Sequence, residues 1–176
     1  TAVDGAADDD FGYDVAASGD TIVVGAYQDD DNGNKSGSAY VFQRNQGGAD
    51  NWGQVAKLTA DDGAESDYFG LSVDISGDTI VIGAPYDDDN GSYSGSAYVF
   101  QRNQNGADAW GQVAKLTASD GAGGDIFGYG VGISGDSIVV GVYGDDDVAT
   151  NAGSAYIFQR NQGGANAWGQ VAKLTA

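Results

Sequence analysis

Three runs of consecutive carboxylates recur at one spacing: Asp29-Asp30-Asp31, Asp87-Asp88-Asp89 and Asp145-Asp146-Asp147, each 58 residues after the last. Hard oxygen donors at this density favour Ca²⁺ over softer metals, and crowded carboxylates raise one another's pKa until a cation relieves them. Further acids stand in matching frame, as Asp4/Asp9, Asp62/Asp67 and Asp120/Asp125. The sharp expectation is therefore calcium bound by Asp29, Asp30, Asp31, Asp87, Asp88, Asp89, Asp145, Asp146 and Asp147 together with Asp62, Asp67, Asp120 and Asp125. The alternative is a solvated acidic surface that only keeps the chain soluble. The third run departs from the others, because Asn32-Gly33 and Asn90-Gly91 become Val148-Ala149, losing turn residues and an oxygen donor.

Other chemistries are closed off by composition. The 176 residues include no Cys and no His, which removes disulfides, thiolate or imidazole metal sites and His-based triads. Two aspartates at the right separation can cleave glycosides, but a single active site needs asymmetry that near-identical copies do not offer, so no enzyme is expected. Asp plus Glu number 26 against seven Lys plus Arg, a net charge of −19 that repels nucleic acid and anionic membranes. No apolar run approaches transmembrane length, and the start at Thr1 reads as a mature or excised soluble piece.

The elements that carry these runs repeat with them. Phe11-Gly12 returns as Phe69-Gly70 and Phe127-Gly128, and Trp-Gly-Gln-Val-Ala-Lys-Leu-Thr-Ala stands unchanged at 52–60, 110–118 and 168–176. A fixed period of this size means an array of like supersecondary units. Within one unit, 11–17 reads as a first strand and Ser18-Gly-Asp20 as a tight turn. Residues 21–26, β-branched and apolar on both faces, read as a buried second strand. Residues 28–37 hold only turn chemistry, 38–44 form a third strand, and 54–60 a more polar fourth after a Gly-rich turn. No helical period occurs. Four antiparallel strands per unit of this length mark a β-propeller blade, so the fold expected is all-β, three four-stranded antiparallel blades. The divisions are 1–10 as a connector from a preceding blade, 11–68 and 69–126 as blades with their connectors, and 127–176 as the third blade.

At Phe11-Gly12, Gly25-Ala26-Tyr27, Gly83-Ala84-Pro85 and Gly37-Ser-Ala-Tyr-Val-Phe42 the chain resembles the FG-GAP repeats, the blade type of the integrin α-subunit propeller. Only the second copy keeps a literal Gly-Ala-Pro; the third reads Gly141-Val-Tyr143. The calcium loop common in such repeats, between strands one and two, has no counterpart in Ser18-Gly-Asp20, Ser76-Gly-Asp78 or Ser134-Gly-Asp136, so that site does not carry over. The resemblance implies a non-catalytic binding or adhesion module, secreted or on a cell surface, with a protein or glycan ligand. A purely structural repeat scaffold without a ligand is the alternative.

Strands that run up and down a blade bring the two-to-three loops and the connectors to one rim. Nineteen of the 26 carboxylates fall there, with Lys35 the one basic residue among them. Tyr27, Tyr86 and Tyr143, beside the acidic loops, are placed to form a ligand face. Trp52, Trp110 and Trp168 are expected to pack between units, and Arg44, Arg102, Arg160, Lys57, Lys115 and Lys173 to pair with nearby acids. Three blades cannot close a ring, since propellers use about four to eight. The expected partner is a second copy, joined head to tail as a homodimer of six blades, or further blades of a longer array.

Overall fold

A computed structural model describes residues 1–104 and 106–175. Every regular element in it is a strand: β1 (Val15–Ser18), β2 (Thr21–Ala26), β3 (Ser38–Arg44) and β4 (Trp52–Leu58); β5 (Ser72–Ser76), β6 (Thr79–Ala84), β7 (Ser96–Arg102) and β8 (Trp110–Leu116); β9 (Phe127–Ser134), β10 (Ser137–Val142), β11 (Ser154–Arg160) and β12 (Trp168–Thr175). They form three four-stranded antiparallel sheets, each paired in sequence order. Each first hairpin closes over two residues, with Gly19, Gly77 and Gly135 at φ of 58°, 58° and 56°, a left-handed conformation that only glycine takes freely.

The sheets stack face to face. One apolar cluster joins Val23, Val41 and Leu58 of the first sheet to Val73, Ile75, Ile80, Ile82 and Trp110 of the second. Another joins Val81, Val99 and Leu116 of the second to Ile138, Val140, Phe158 and Trp168 of the third. The second strand of the middle unit, β6, is buried on both faces because its two faces serve two different interfaces, whereas β10 leaves Val139 exposed; each fully buried Val or Ile contributes about 1.5–3 kcal/mol. Trp110 and Trp168 pack between sheets as their position predicts, while Trp52 lies half exposed.

The first strands begin later than expected in two of the three sheets, at Val15 and Ser72. The Phe-Gly pair is used elsewhere. Phe69 bridges in parallel to Gly37 of the preceding sheet, and Phe127 to Gly95. The Gly70 N–H meanwhile donates to Gly83 O of its own sheet at 3.0 Å. Two backbones therefore cross in contact: a Cβ on Gly25 would overlap the Gly70 carbonyl oxygen, and one on Gly83 the Gly128 carbonyl oxygen. The recurring glycines of Phe-Gly and Gly-Ala are the residues that permit this crossing.

Candidate functional site: the acidic rim

The fourth strand of each sheet sends a lysine to the rim. Register pairs Tyr40 with Lys57, Tyr98 with Lys115 and Tyr156 with Lys173. Each ammonium lies over the ring of its own tyrosine, 5.1–5.2 Å from the centroid. Around Lys115 Nζ stand Asp62 at 2.8 Å, Asp87 at 2.9 Å and Asp89 at 2.6 Å. Lys173 meets Asp120 at 3.0 Å, Asp145 at 2.7 Å and Asp147 at 2.5 Å. Lys57 meets Asp4 and Asp29 at 2.9 Å, and Asp31. The tyrosine hydroxyls complete the clusters, donating to Asp29 and Asp87 at 2.7 Å and to Asp145 at 3.1 Å.

The first aspartate of every run is thus buried and the third paired, while Asp30, Asp88 and Asp146 point to solvent. Burial alone would raise Asp29, Asp62 and Asp145, but the adjoining lysine and tyrosine hold all three below the usual carboxylate range. The lysines are desolvated too, yet their carboxylate partners raise them well above an ordinary lysine. What these carboxylates converge on is an ammonium. Among the described residues no group of three or more carboxylates is arranged to hold a metal ion.

The matching-frame pairs separate. Asp62 and Asp120 join the lysines, whereas Asp67 and Asp125 are buried in their own turns, accepting N–H bonds from Ala64 and Ala122 at 2.7 Å. Burial, reinforced by Asp87 and Asp88, pushes Asp67 up to about 6, and burial raises Asp125 as well. A carboxyl whose folded pKa lies above its unfolded value of 3.8 binds its proton more tightly when folded. Stability on its account is therefore full at low pH and declines as pH rises through about 6. Asp67→Asn, which keeps the oxygen for Ala64, should gain about 1–2 kcal/mol at pH 7.5 and nothing at pH 4. Urea titrations at the two pH values measure this.

Beside the lysine clusters runs an arc of tyrosines in successive edge contact. Ring centroids lie 4.6 Å apart for Tyr13–Tyr27, 5.3 Å for Tyr27–Tyr68, 4.8 Å for Tyr68–Tyr86 and 5.4 Å for Tyr86–Tyr93. Of the three tyrosines singled out in the sequence, Tyr27 and Tyr86 meet in this arc through Tyr68. Tyr143 stacks instead on Tyr129, at 5.7 Å. Burial and a bond to Asp10 push Tyr27 up to about 12. Lys35 Nζ sits 5.8 Å from the Tyr68 centroid. Ser66, Tyr68, Tyr86 and Tyr93 enclose an open recess of about 360 Å³. Tyr13, Tyr68 and Tyr93 escape the sequence reading because they fall at different positions of their repeats; only their common rim signals them.

The family model that describes the FG-GAP repeat matches residues 1–42, 52–100 and 110–158, the second and third matches each running from the fourth strand of one sheet through the first three strands of the next. The chain belongs to the FG-GAP repeat family. Its three sheets are three propeller blades, a module of binding or structural kind in a family that is generally non-catalytic. No curated protein matches the chain. The Phe-Gly and Gly-Ala glycines that carry the resemblance are the ones at the blade crossing. Among the described residues no helix is long and apolar enough to cross a membrane.

Proposed function

We propose that this FG-GAP chain is a non-catalytic recognition module, displayed outside the cell, that engages a protein or glycan through the tyrosine arc of its acidic rim. The observation that carries this reading is the continuous contact of Tyr13, Tyr27, Tyr68, Tyr86 and Tyr93 on the face that also holds most of the carboxylates. Tyrosine gives large contact area at small entropy cost and joins an apolar ring to a polar tip, which is why binding surfaces favour it. The surrounding charge selects against anionic ligands. Binding of the intact chain to arrays of neutral glycans and cationic peptides, repeated with Tyr68→Ala/Tyr86→Ala, tests the reading. Any ligand captured should lose at least tenfold in affinity in the double variant. Binding that survives the change would overturn the tyrosine arc as the ligand face, and an array without ligands favours the plain scaffold reading.

Calcium enters this reading in second place. We infer that Lys57, Lys115 and Lys173 supply the positive charge that Asp29, Asp87 and Asp145 would otherwise take from a cation. Three carboxylate contacts and a tyrosine hydroxyl already satisfy each of these clusters, and an incoming Ca²⁺ would have to displace an ammonium held over an aromatic ring. The module then folds and binds without metal.

A further inference from the structure

We propose that the recess enclosed by Ser66, Tyr68, Tyr86 and Tyr93 is a cage for a quaternary ammonium group, presented as a trimethylated lysine side chain of a partner protein. This rests on the reading of the tyrosine arc as the ligand face, and names what one part of that face takes. The first two repeats build the same niche between a connector and the loop that joins the second and third strands. In the first repeat it is lined by Asp8, Gln28, Asp30 and Lys35 and measures about 190 Å³. The 58-residue period turns Asp8, Gln28 and Lys35 into Ser66, Tyr86 and Tyr93, and Asp10 into Tyr68. The niche there opens to about 360 Å³ and its walls become aromatic. In the third repeat the equivalent residues are Gly124, Ile126, Gly144 and Asn151, none of them aromatic.

Local conformation does not call for these rings. Tyr68 and Tyr93 have φ of 57° and 56°, and their equivalents in the first repeat, Asp10 and Lys35, have 53° and 54°. The left-handed backbone therefore belongs to the repeat. Asp, Asn and Gly suit it, and the third repeat accordingly places Asn151 at the position of Tyr93, with φ of 53°. Nor does the core recruit Tyr93, which is 53% exposed. A bulky ring held at a strained position, turned to solvent and lining a recess, is the kind of local cost that functional sites carry.

Shape and charge then select the ligand. Tyr68 meets Tyr86 at an interplanar angle of 79°, and Tyr86 meets Tyr93 at 86°. A flat sugar ring stacks on one aromatic face and cannot lie against perpendicular walls, whereas a compact, near-spherical cation touches several and is attracted by each. The chain itself shows what a primary ammonium takes: Lys57, Lys115 and Lys173 each lie over one ring and contact three carboxylates. The recess offers three rings, one serine and no carboxylate in its lining. A primary ammonium or a guanidinium entering it would give up N–H bonds to water without replacement. A trimethylammonium has none to lose. Lys35 lies 5.8 Å from the Tyr68 centroid but does not line the recess. The net charge of −19, with exposed Glu65 and Asp88 next in sequence to Ser66 and near Tyr86, draws cations and repels a choline whose phosphate stands beside its ammonium. A trimethylated lysine carries no such anion.

Calorimetric titration of the intact chain at neutral pH tests this with four probes: a peptide bearing one trimethyl-lysine, the same peptide unmethylated, the same peptide with an uncharged tert-butyl isostere of that side chain, and phosphatidylcholine vesicles. The methylated peptide should bind about tenfold more tightly than either of the other peptides, and the vesicles should give no heat. Tyr93→Asn installs the residue that the third repeat uses at this left-handed position, so the melting temperature should hold while the preference for the methylated peptide is lost. Tyr93→Phe keeps the ring and should keep the preference. Equal binding of the three peptides, binding of none, capture of the vesicles instead, or a preference that survives Tyr93→Asn would each overturn the cage. Its failure leaves standing any array ligand that Tyr68→Ala/Tyr86→Ala weakens, whereas array binding indifferent to that double variant removes the arc itself.

Discussion

Lys115→Met should cost the fold about 2–4 kcal/mol at neutral pH, measured by urea unfolding, because it leaves Asp87 buried without its counter-charge. Methionine keeps most of the aliphatic stem, so the loss reports the ammonium rather than packing. Asp87 is 2% exposed, and its carboxylate is shared between Lys115 and the Tyr98 hydroxyl. The pH dependence has a definite sign. Asp62, held low in the folded state, contributes stability above the ordinary carboxylate value of 3.8 and gives it up as pH falls through its lowered folded value. The gap between parent and variant should therefore narrow in strong acid. Asp67 works in the opposite direction, so the parent should be most stable in mildly acidic solution, below the Asp67 value of about 6 and above the range in which the lysine-bound carboxylates protonate.

Gly83→Val should be at least as damaging, with about 3 kcal/mol or more lost and the loss concentrated between blades 2 and 3. Valine suits a strand, so propensity predicts no penalty. The penalty comes from the crossing: a Cβ at this position would overlap the Ser72 hydroxyl, which can rotate away, and the Gly128 carbonyl oxygen, a backbone atom of the next blade that cannot retreat without separating the blades. Fluorescence of Trp168, buried at that junction, should report the loosening at lower urea than the global transition. Recovery of parental stability in Gly83→Val would show that the blades tolerate a wider crossing than their glycines imply.

Much of this architecture is legible in the sequence because it is periodic. Strands 21–26 and 38–44, the loop between them and the sharing of the tryptophans between blades follow from alternation, turn residues and an unbroken 58-residue spacing. The segregation of acids to one rim follows from strand direction alone. What the sequence does not reveal depends on register. Lys115 lies 26 residues from Asp89 and 53 from Asp62, and only the pairing of Tyr98 with Lys115 brings them to one point. A count of charges by segment places the lysines on the fourth strands, remote from the rim; their four-carbon stems carry the ammonium back to it. The tyrosine arc is hidden for a related reason, since Tyr13, Tyr68 and Tyr93 have no counterparts at the same positions in every repeat. The later start of β1 and β5 is not set by the blade crossing, since Phe127-Gly128 crosses the preceding blade from inside β9 while Phe11-Gly12 meets no neighbouring blade in the chain, and no local pattern within 11–17 announces it.

The charge that neutralises the acidic rim decides whether this module works with or without metal, and calorimetric titration of Ca²⁺ into the chelator-treated chain at pH 7.5 measures it directly. With the lysines in that role, the parent should give no saturable heat and a melting temperature unmoved by chelator, while Lys115→Met should gain stability on adding calcium. Saturable binding to the parent, near one ion per blade and accompanied by a rise in melting temperature, would contradict it.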